Sequence, residues 1–370
     1  MRMTQRLSGL EAMRGLAAIL VAWNHAVFLQ FDPALDGWAL PYSYLAVDLF
    51  FLLSGFVLSR AFEGRMPGAA AFAMMRFKRL WLPVACGTGL GAIYYVLAGM
   101  GVLVWSVHLA AGLAILPLLG FAFLFNAPAW SIFFELFANF AHALTLNRVG
   151  DRALGVMVAA CGLVLLLSGT EHGMDVGQGD KFWMGFVRVL FSYGIGILVY
   201  RLNGDRTWTS PHVAWPILGA YCLAIALYPD VLGGQAEVLF IAILHPAILL
   251  CVLSLQDNRL ATILGAYSFP LYAIHYPVQM LATGAAMPWW NTLAVSMAVS
   301  AVAGLAIDRR FRAAFQPGPW PGRRLSEQAA RRSGSEPPTS SLLDGGDGGG
   351  NGGVLVERRG IDDESVVRGD

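Results

Sequence analysis

Ten separate stretches of about 20 mostly apolar residues follow one another along this 370-residue chain, and that recurrence limits the fold more than any other feature. They lie near residues 12–31, 42–60, 80–99, 130–147, 153–169, 183–201, 213–229, 237–255, 262–283 and 289–308. A helix needs about 20 such residues to cross the hydrocarbon core of a bilayer. Lipid offers no partner for a backbone N–H or C=O, so runs of this length read as helices that satisfy their own backbone. The expected fold is all-α, a polytopic membrane bundle of about ten spans. Composition supports this: 13% of residues are charged, against roughly 25% in soluble domains, and mean hydropathy is +0.58. The formal net charge of +1 gives no field that would gather nucleic acid. Cys86, Cys161, Cys222 and Cys251 all fall in apolar runs without metal-ligand spacing, which is the pattern of packing residues. The first apolar run contains Arg14 and is followed by no small-residue cleavage site, so no cleavable signal peptide is expected.

Charge sets the expected orientation. With the N-terminus cytoplasmic, one set of loops carries Arg2, Arg6, Arg60, Arg65, Arg76, Lys78, Arg79, Arg148, Arg152, Arg201, Arg206, Arg259, Arg309, Arg310 and Arg312. The opposite set carries only Lys181. Basic residues gather on the cytoplasmic side, so both termini are placed there, as in a multi-pass protein of the cell (inner) membrane. The stretch 102–125 is apolar too, but Pro117 and Gly120 interrupt it. A full crossing there would put every later loop on the wrong side, so a re-entrant or interfacial segment is expected, with its irregular backbone lining a cavity. From about residue 316 the chain turns to Gly, Pro, Ser and charge, with "DGGDGGGNGG" at its centre. Such a segment buries too little apolar surface to order itself. The expected organisation is a membrane domain over 1–315 and a disordered cytoplasmic tail over 316–370.

Several ionisable residues fall inside the apolar runs, where each must be paired, solvated or used. Arg14 and His25 stand eleven residues apart in "MRGLAAILVAWNH". That spacing is three helical turns plus about 20°, so both lie on one face, about 16 Å apart along the axis. Arginine suits an anionic group, and histidine suits proton removal from an alcohol. Asp48 opens the next span, with Ser54 and Gly55 in its middle; Gly55 permits close helix approach. Asp48 is a candidate to orient or pair with His25 or to cap its helix, and Glu135 to pair with an arginine or to help bind the acceptor. Arg76 and Arg79, one turn apart, face one way at the entrance of the third span. Glu135 follows Trp130 and Ser131 and needs a partner or a proton. Pro270, Tyr272 and His275 lie late in the chain, with Ser268 one turn from Tyr272. His108, His142, His172, His212 and His245 sit in loops or span ends with no constellation, and Arg188 has no evident partner. No metal-ligand spacing, phosphate loop or nucleophile elbow is present.

Taken together, these motifs resemble the integral membrane acyltransferase 3 family over roughly residues 6–310. The likeness rests on Arg14 and His25 in "GLEAMRGLAAILVAWNH"; on Asp48, Phe51, Ser54 and Gly55 in "VDLFFLLSGF"; and on Arg76 with Arg79. It continues with Trp130, Ser131 and Glu135, then with Ser268, Pro270, Tyr272, His275 and Pro277. The family moves acyl groups, often acetyl, onto carbohydrate hydroxyls. The resemblance implies a donor acyl-CoA, such as acetyl-CoA, held by Arg14, Arg76 and Arg79, with no bound cofactor or metal. It implies His25 as general base or acyl carrier, with Asp48 and Glu135 as catalytic partners. Ser54, Trp130, Ser131, Tyr272 and His275 would position acyl group or acceptor, and the partners would be the lipid bilayer and a carbohydrate or glycoconjugate. A multi-span transporter is the competing class. It accounts for buried charge, but no convincing internal repeat supports it.

Overall fold

The computed structural model describes residues 7–64, 66–118, 123–168, 173–228 and 233–314. The expected tail, Arg2, Arg6, Arg65 and His172 lie outside these residues. The described residues form helical rods in the order α1 (Ser8–Phe28), α2 (Leu45–Phe62), α3 (Ala69–Leu97), α4 (Val102–Leu113), α5 (Ala129–Ala141), α6 (Asp151–Ser168), α7 (Met184–Asn203), α8 (Ala214–Ala226), α9 (Gly233–Leu239), α10 (His245–Val252), α11 (Arg259–Gly284) and α12 (Trp289–Ala314). A π-helical turn, His142–Leu146, extends α5, and a second, Phe240–Leu244, joins α9 to α10 into one rod. Among the described residues seven rods are long and apolar enough to cross a membrane. At 21 and 26 residues, α1 and α11 are as long but more polar. α8 spans only 13 residues, with a 3-10 turn before it.

Two parallel helix pairs make the frame. α1 and α11 pack along their length with a sequence offset close to 250, seen in His25 against His275 and in Gln30 against Thr283. A Cβ on Gly15 would meet the Leu264 carbonyl oxygen at 2.8 Å, so the glycine lets the two backbones approach. In α2 and α7 the offset is close to 140. Gly55 faces the Tyr193 carbonyl and Gly196 faces the Leu52 carbonyl, where added Cβ atoms would sit 2.2 Å and 2.0 Å from oxygen. The expectation for Gly55 as a close-approach residue holds. Substituting either glycine forces backbone apart from backbone.

Parallel α1 and α11 require an even number of reversals between them, so the stretch 102–125 adds no net crossing. Its helix, α4, has 12 residues. That is about 18 Å, too short for the hydrocarbon core. α4 returns along α3: the Trp105 indole donates to the Ala92 carbonyl at 2.9 Å, and the Trp81 indole to the Leu113 carbonyl at 2.7 Å. The chain then comes back beside α3, where Phe125 carries its backbone oxygen against Gly91.

One end of the bundle is tied by Arg201. Its guanidinium meets Glu63 at 2.5 Å, Asp151 at 3.3 Å and the carbonyls of Val149 and Leu146, joining the ends of α2, α5, α6 and α7. These chain ends belong to the basic loops, so the alternation required by the charge pattern is kept.

Candidate active site

His275 lies fully buried in the middle of α11. Its Nδ1 is 2.9 Å from the Leu271 carbonyl and 3.0 Å from the Tyr272 carbonyl. Carbonyls only accept, so in the neutral ring Nδ1 carries the proton and Nε2 carries a lone pair. His25 Nδ1 lies 2.9 Å from that Nε2 and donates to it. The consequence is directional: His25 Nε2 carries the ring's lone pair, and no hydrogen-bond donor reaches it among the described residues. The two rings are near parallel, with centroids 5.1 Å apart, and Tyr276 sets its ring edge-on to His25 at the same distance. His275, rather than Asp48 or Glu135, therefore orients the His25 imidazole.

Two prolines in α11 explain part of its surroundings. Pro277 has no N–H to offer the Ala273 carbonyl one turn earlier. Asn126, 2% exposed, donates its Nδ2 to that carbonyl at 2.9 Å, and Gly87 of α3 leaves room for both. The segment after α4 is thus fastened to the helix that bears His275. Asn126 escaped the sequence reading, although it is the one polar residue in "LLGFAFLFNAPAW" and Pro277 frees a carbonyl that a buried donor must satisfy.

About 16 Å from His25 along α1 lies Arg14. Its charged neighbours are Glu135, Arg76 and Glu11. Those of Arg79 are Arg76, Arg14 and Glu135. The three arginines therefore gather around Glu135. Its Oε1 accepts from Arg76 at 3.1 Å and from the Ser54 hydroxyl at 2.8 Å. Arg76 is 8% exposed, and its Nε has no hydrogen-bond partner among the described residues. Positive charge exceeds what Glu135 neutralises. Ser54, expected to touch acyl group or acceptor, instead spends its hydroxyl on Glu135.

Asp48 has another task. Its oxygens accept from Arg188 at 2.7, 3.1 and 3.2 Å and from Ser192 at 2.7 Å. Arg188 also donates to the carbonyls of Val176 and Tyr44 at 3.0 and 2.9 Å, and Trp130 lies 5.3 Å below its guanidinium. Both charged side chains are fully buried. This pair locks α2 to α7, and it supplies the partner that the sequence left open for Arg188. Trp130 accordingly packs on a structural pair. Ser131 donates to the Pro128 carbonyl, so the Tyr272 hydroxyl donates to Ser131 at 2.7 Å. The Tyr272 ring lies against Phe50 and 6.1 Å from the His275 ring centre. His142 and His245 do not sit in loops: both are buried within rods at the π-helical turns, hydrogen-bonded to Tyr193 at 2.8 Å and to Tyr221 at 3.1 Å.

The bundle thus holds an oriented histidine pair and, about 16 Å along α1, a group of arginines whose charge exceeds that of Glu135. Residues 7–307 match the acyltransferase 3 family, an acyltransferase domain, and the chain belongs to that family. It is a membrane acyltransferase. Over 193 residues it is 33% identical to "Protein 2 in picA locus" of Rhizobium radiobacter, an alignment covering 45% of this chain and 96% of that protein. No solved structure matches the chain.

Proposed function

We propose that this protein transfers an acyl group, typically acetyl, from cytoplasmic acyl-CoA to a hydroxyl of a carbohydrate or glycoconjugate at the cell (inner) membrane. The observation that carries the reading is the free Nε2 of His25, on the same face of α1 as Arg14 within its arginine cluster. The phosphates of the nucleotide dock against Arg14, Arg76 and Arg79, whose guanidinium groups favour polyanions. The pantetheine arm then covers the distance along α1, and the thioester reaches His25.

His25 Nε2 removes the proton of the acceptor hydroxyl as that oxygen attacks the thioester carbonyl. An ester C–O bond forms, the thioester C–S bond breaks, and the proton passes from His25 to the departing thiolate. His275 holds the imidazole in the tautomer this needs and stabilises the imidazolium while it exists. Glu135 and Ser54 hold Arg76 in place.

Isotope-labelled acetyl-CoA, supplied to membranes containing the protein, tests this. Label enters the carbohydrate fraction with the intact protein, and His25→Ala at matched folded amount lowers the rate by about 10²–10⁴-fold. Equal labelling by both forms overturns the role of His25. Ion-coupled uptake of a sugar, with no labelling, overturns the enzyme reading in favour of transport.

A further inference from the structure

His275 stands between two prolines of α11, Pro270 and Pro277. Three successive carbonyls on its N-terminal side, those of Leu271, Tyr272 and Ala273, meet side-chain nitrogens. His275 Nδ1 serves the first two, at 2.9 and 3.0 Å. The third gets nothing from Pro277, which has no N–H. Asn126 serves it from outside the helix, with its Nδ2 2.9 Å away. Ala273 is 0% exposed and Asn126 2%, so solvent does not stand in for this donor. The fit leaves no slack on the side of α3. A Cβ on Gly87 would stand 2.2 Å from the Ala273 oxygen and 2.7 Å from Asn126 Nδ2, and one on Gly91 would stand 1.7 Å from the Phe125 oxygen. The Asn126 backbone is held as well: its N–H donates to the Phe123 carbonyl at 3.0 Å, and its carbonyl accepts from Ala129 at 2.9 Å.

Only one orientation of the Asn126 amide works here, because a flipped amide sets oxygen against oxygen at Ala273. Its Oδ1 is therefore turned from that carbonyl, and it has no partner among the described residues. Asn126 shares a small chamber with Thr88 of α3 and His108 of α4, walled by Gly112, Phe123 and Phe125. Thr88 is 1% exposed, and its hydroxyl also lacks a partner among the described residues. An acceptor and a hydroxyl that line one chamber are the setting in which a buried water makes its hydrogen bonds, and this chamber has room for a water rather than for a sugar ring.

We propose that Asn126 is a positioning residue for the histidine pair. Through the Ala273 carbonyl it fixes the turn of α11 that presents His275 Nε2 to His25 Nδ1, and a water shared with Thr88 keeps its amide in place. Without the Nδ2 donor the buried carbonyl is left unpaired, and the turn must shift to find it a partner. His275 then moves against His25. Asn126 makes and breaks no bond with substrate. The effect on turnover rests on the acyltransferase reading above, whereas the effect on the two imidazoles is independent of it.

The test uses the full chain in detergent and the variant Asn126→Leu, which is close in shape and lacks the donor. Transfer of labelled acetyl from acetyl-CoA falls about 10–100-fold in kcat, as for a catalytic group set about 1 Å out of place, while acetyl-CoA KM stays within about twofold. Ring-nitrogen NMR of isotope-labelled histidine, with signals assigned by His25→Gln and His275→Gln, shows the hydrogen bond between the two rings weakened in Asn126→Leu with no substrate present. Pro277→Ala gives position 277 an N–H for the Ala273 carbonyl. The double variant Asn126→Leu/Pro277→Ala therefore regains kcat to within about fivefold of the wild type and restores the imidazole signals. Thr88→Val, which takes one partner from the water, lowers kcat by about two- to fivefold. Should Asn126→Leu fold poorly, Asn126→Ser, too short to reach the carbonyl, is read in the same way. Imidazole signals that do not move, a rise in KM as large as the fall in kcat, or no recovery in the double variant overturns the positioning role, and an unchanged Thr88→Val overturns the shared water. If the wild type transfers no acetyl while the imidazole signals still follow Asn126 and Pro277, the acyltransferase reading fails and the positioning of the pair stands.

Discussion

Two buried carboxylate–arginine groups sit in this bundle, and they are built on opposite plans. Around Asp48 and Arg188 every strong partner is supplied: both carboxylate oxygens accept, Ser192 adds a donor, and carbonyls take the spare guanidinium hydrogens. Around Glu135 one carboxylate oxygen serves Arg76 and Ser54, while Arg14 and Arg79 stand close by and Arg76 Nε goes unpaired. A closed, hydrogen-bonded cluster ties helices together, and an open one leaves arginine charge uncompensated by Glu135. Mere presence of ionisable residues in a span does not separate structure from function. The balance of charge and of hydrogen bonds around them does.

The contrast is breakable at its structural end first. Asp48→Ala strands the Arg188 guanidinium in the interior, and removing one partner of a buried pair costs about 3–5 kcal/mol. Thermal unfolding in detergent should show a large fall in midpoint, and much of it should return in the double variant Asp48→Leu/Arg188→Met. No recovery in the double variant would mean that Asp48 does more than neutralise Arg188.

At the open cluster, Arg76→Gln removes the charge-assisted contact that the proposed function assigns to the donor. Acetyl-CoA KM should rise about ten- to hundredfold, from a contact worth about 1.5–3 kcal/mol, in a protein that still folds. Unchanged KM would place the nucleotide elsewhere. A ligand effect sharpens the same point. CoA at about 100 times its Kd stabilises the wild type by about 2.7 kcal/mol. In Arg14→Gln, a tenfold weaker Kd cuts that gain to about 1.4 kcal/mol at the same CoA concentration, whereas CoA does not distinguish the clusters if Arg14 lies outside the site. The smallest effect belongs to Ser54→Ala, which removes one neutral donor from Glu135 and should cost about 1 kcal/mol of stability with only slight change in KM.

Much of this arrangement was legible before any coordinates. The apolar runs fall on helices because a backbone in lipid has few other solutions, and among the described residues seven of these are long and apolar enough to cross a membrane. The basic loops fixed the alternation, and alternation alone denied the segment from 102 to 125 a net crossing. Arg14, Arg76 and Arg79 read as one group and Glu135 as a catalytic partner of His25, whereas Glu135 pairs with Arg76. Helical periodicity says which residues share a face, however, and not which face meets which helix. Arg188 had no visible partner because Asp48 lies 140 residues away, and the glycine crossing of α2 and α7 sets that register. The assignment of Asp48 or Glu135 to the His25 ring failed for the same reason: the helix that flanks α1 is α11, and its histidine had already claimed the position.

The parallel register of α1 and α11 has a consequence for biogenesis. His25 is synthesised early and His275 comes 250 residues later. At about 5–20 residues per second, His25 waits about 12–50 s for its partner. Through that interval Arg14 and His25 lie in the membrane without the helix that shelters them, so the emerging protein is a natural client for insertion factors that shield polar groups. Under the proposed mechanism, the His25 ring is set for its task only when α11 docks.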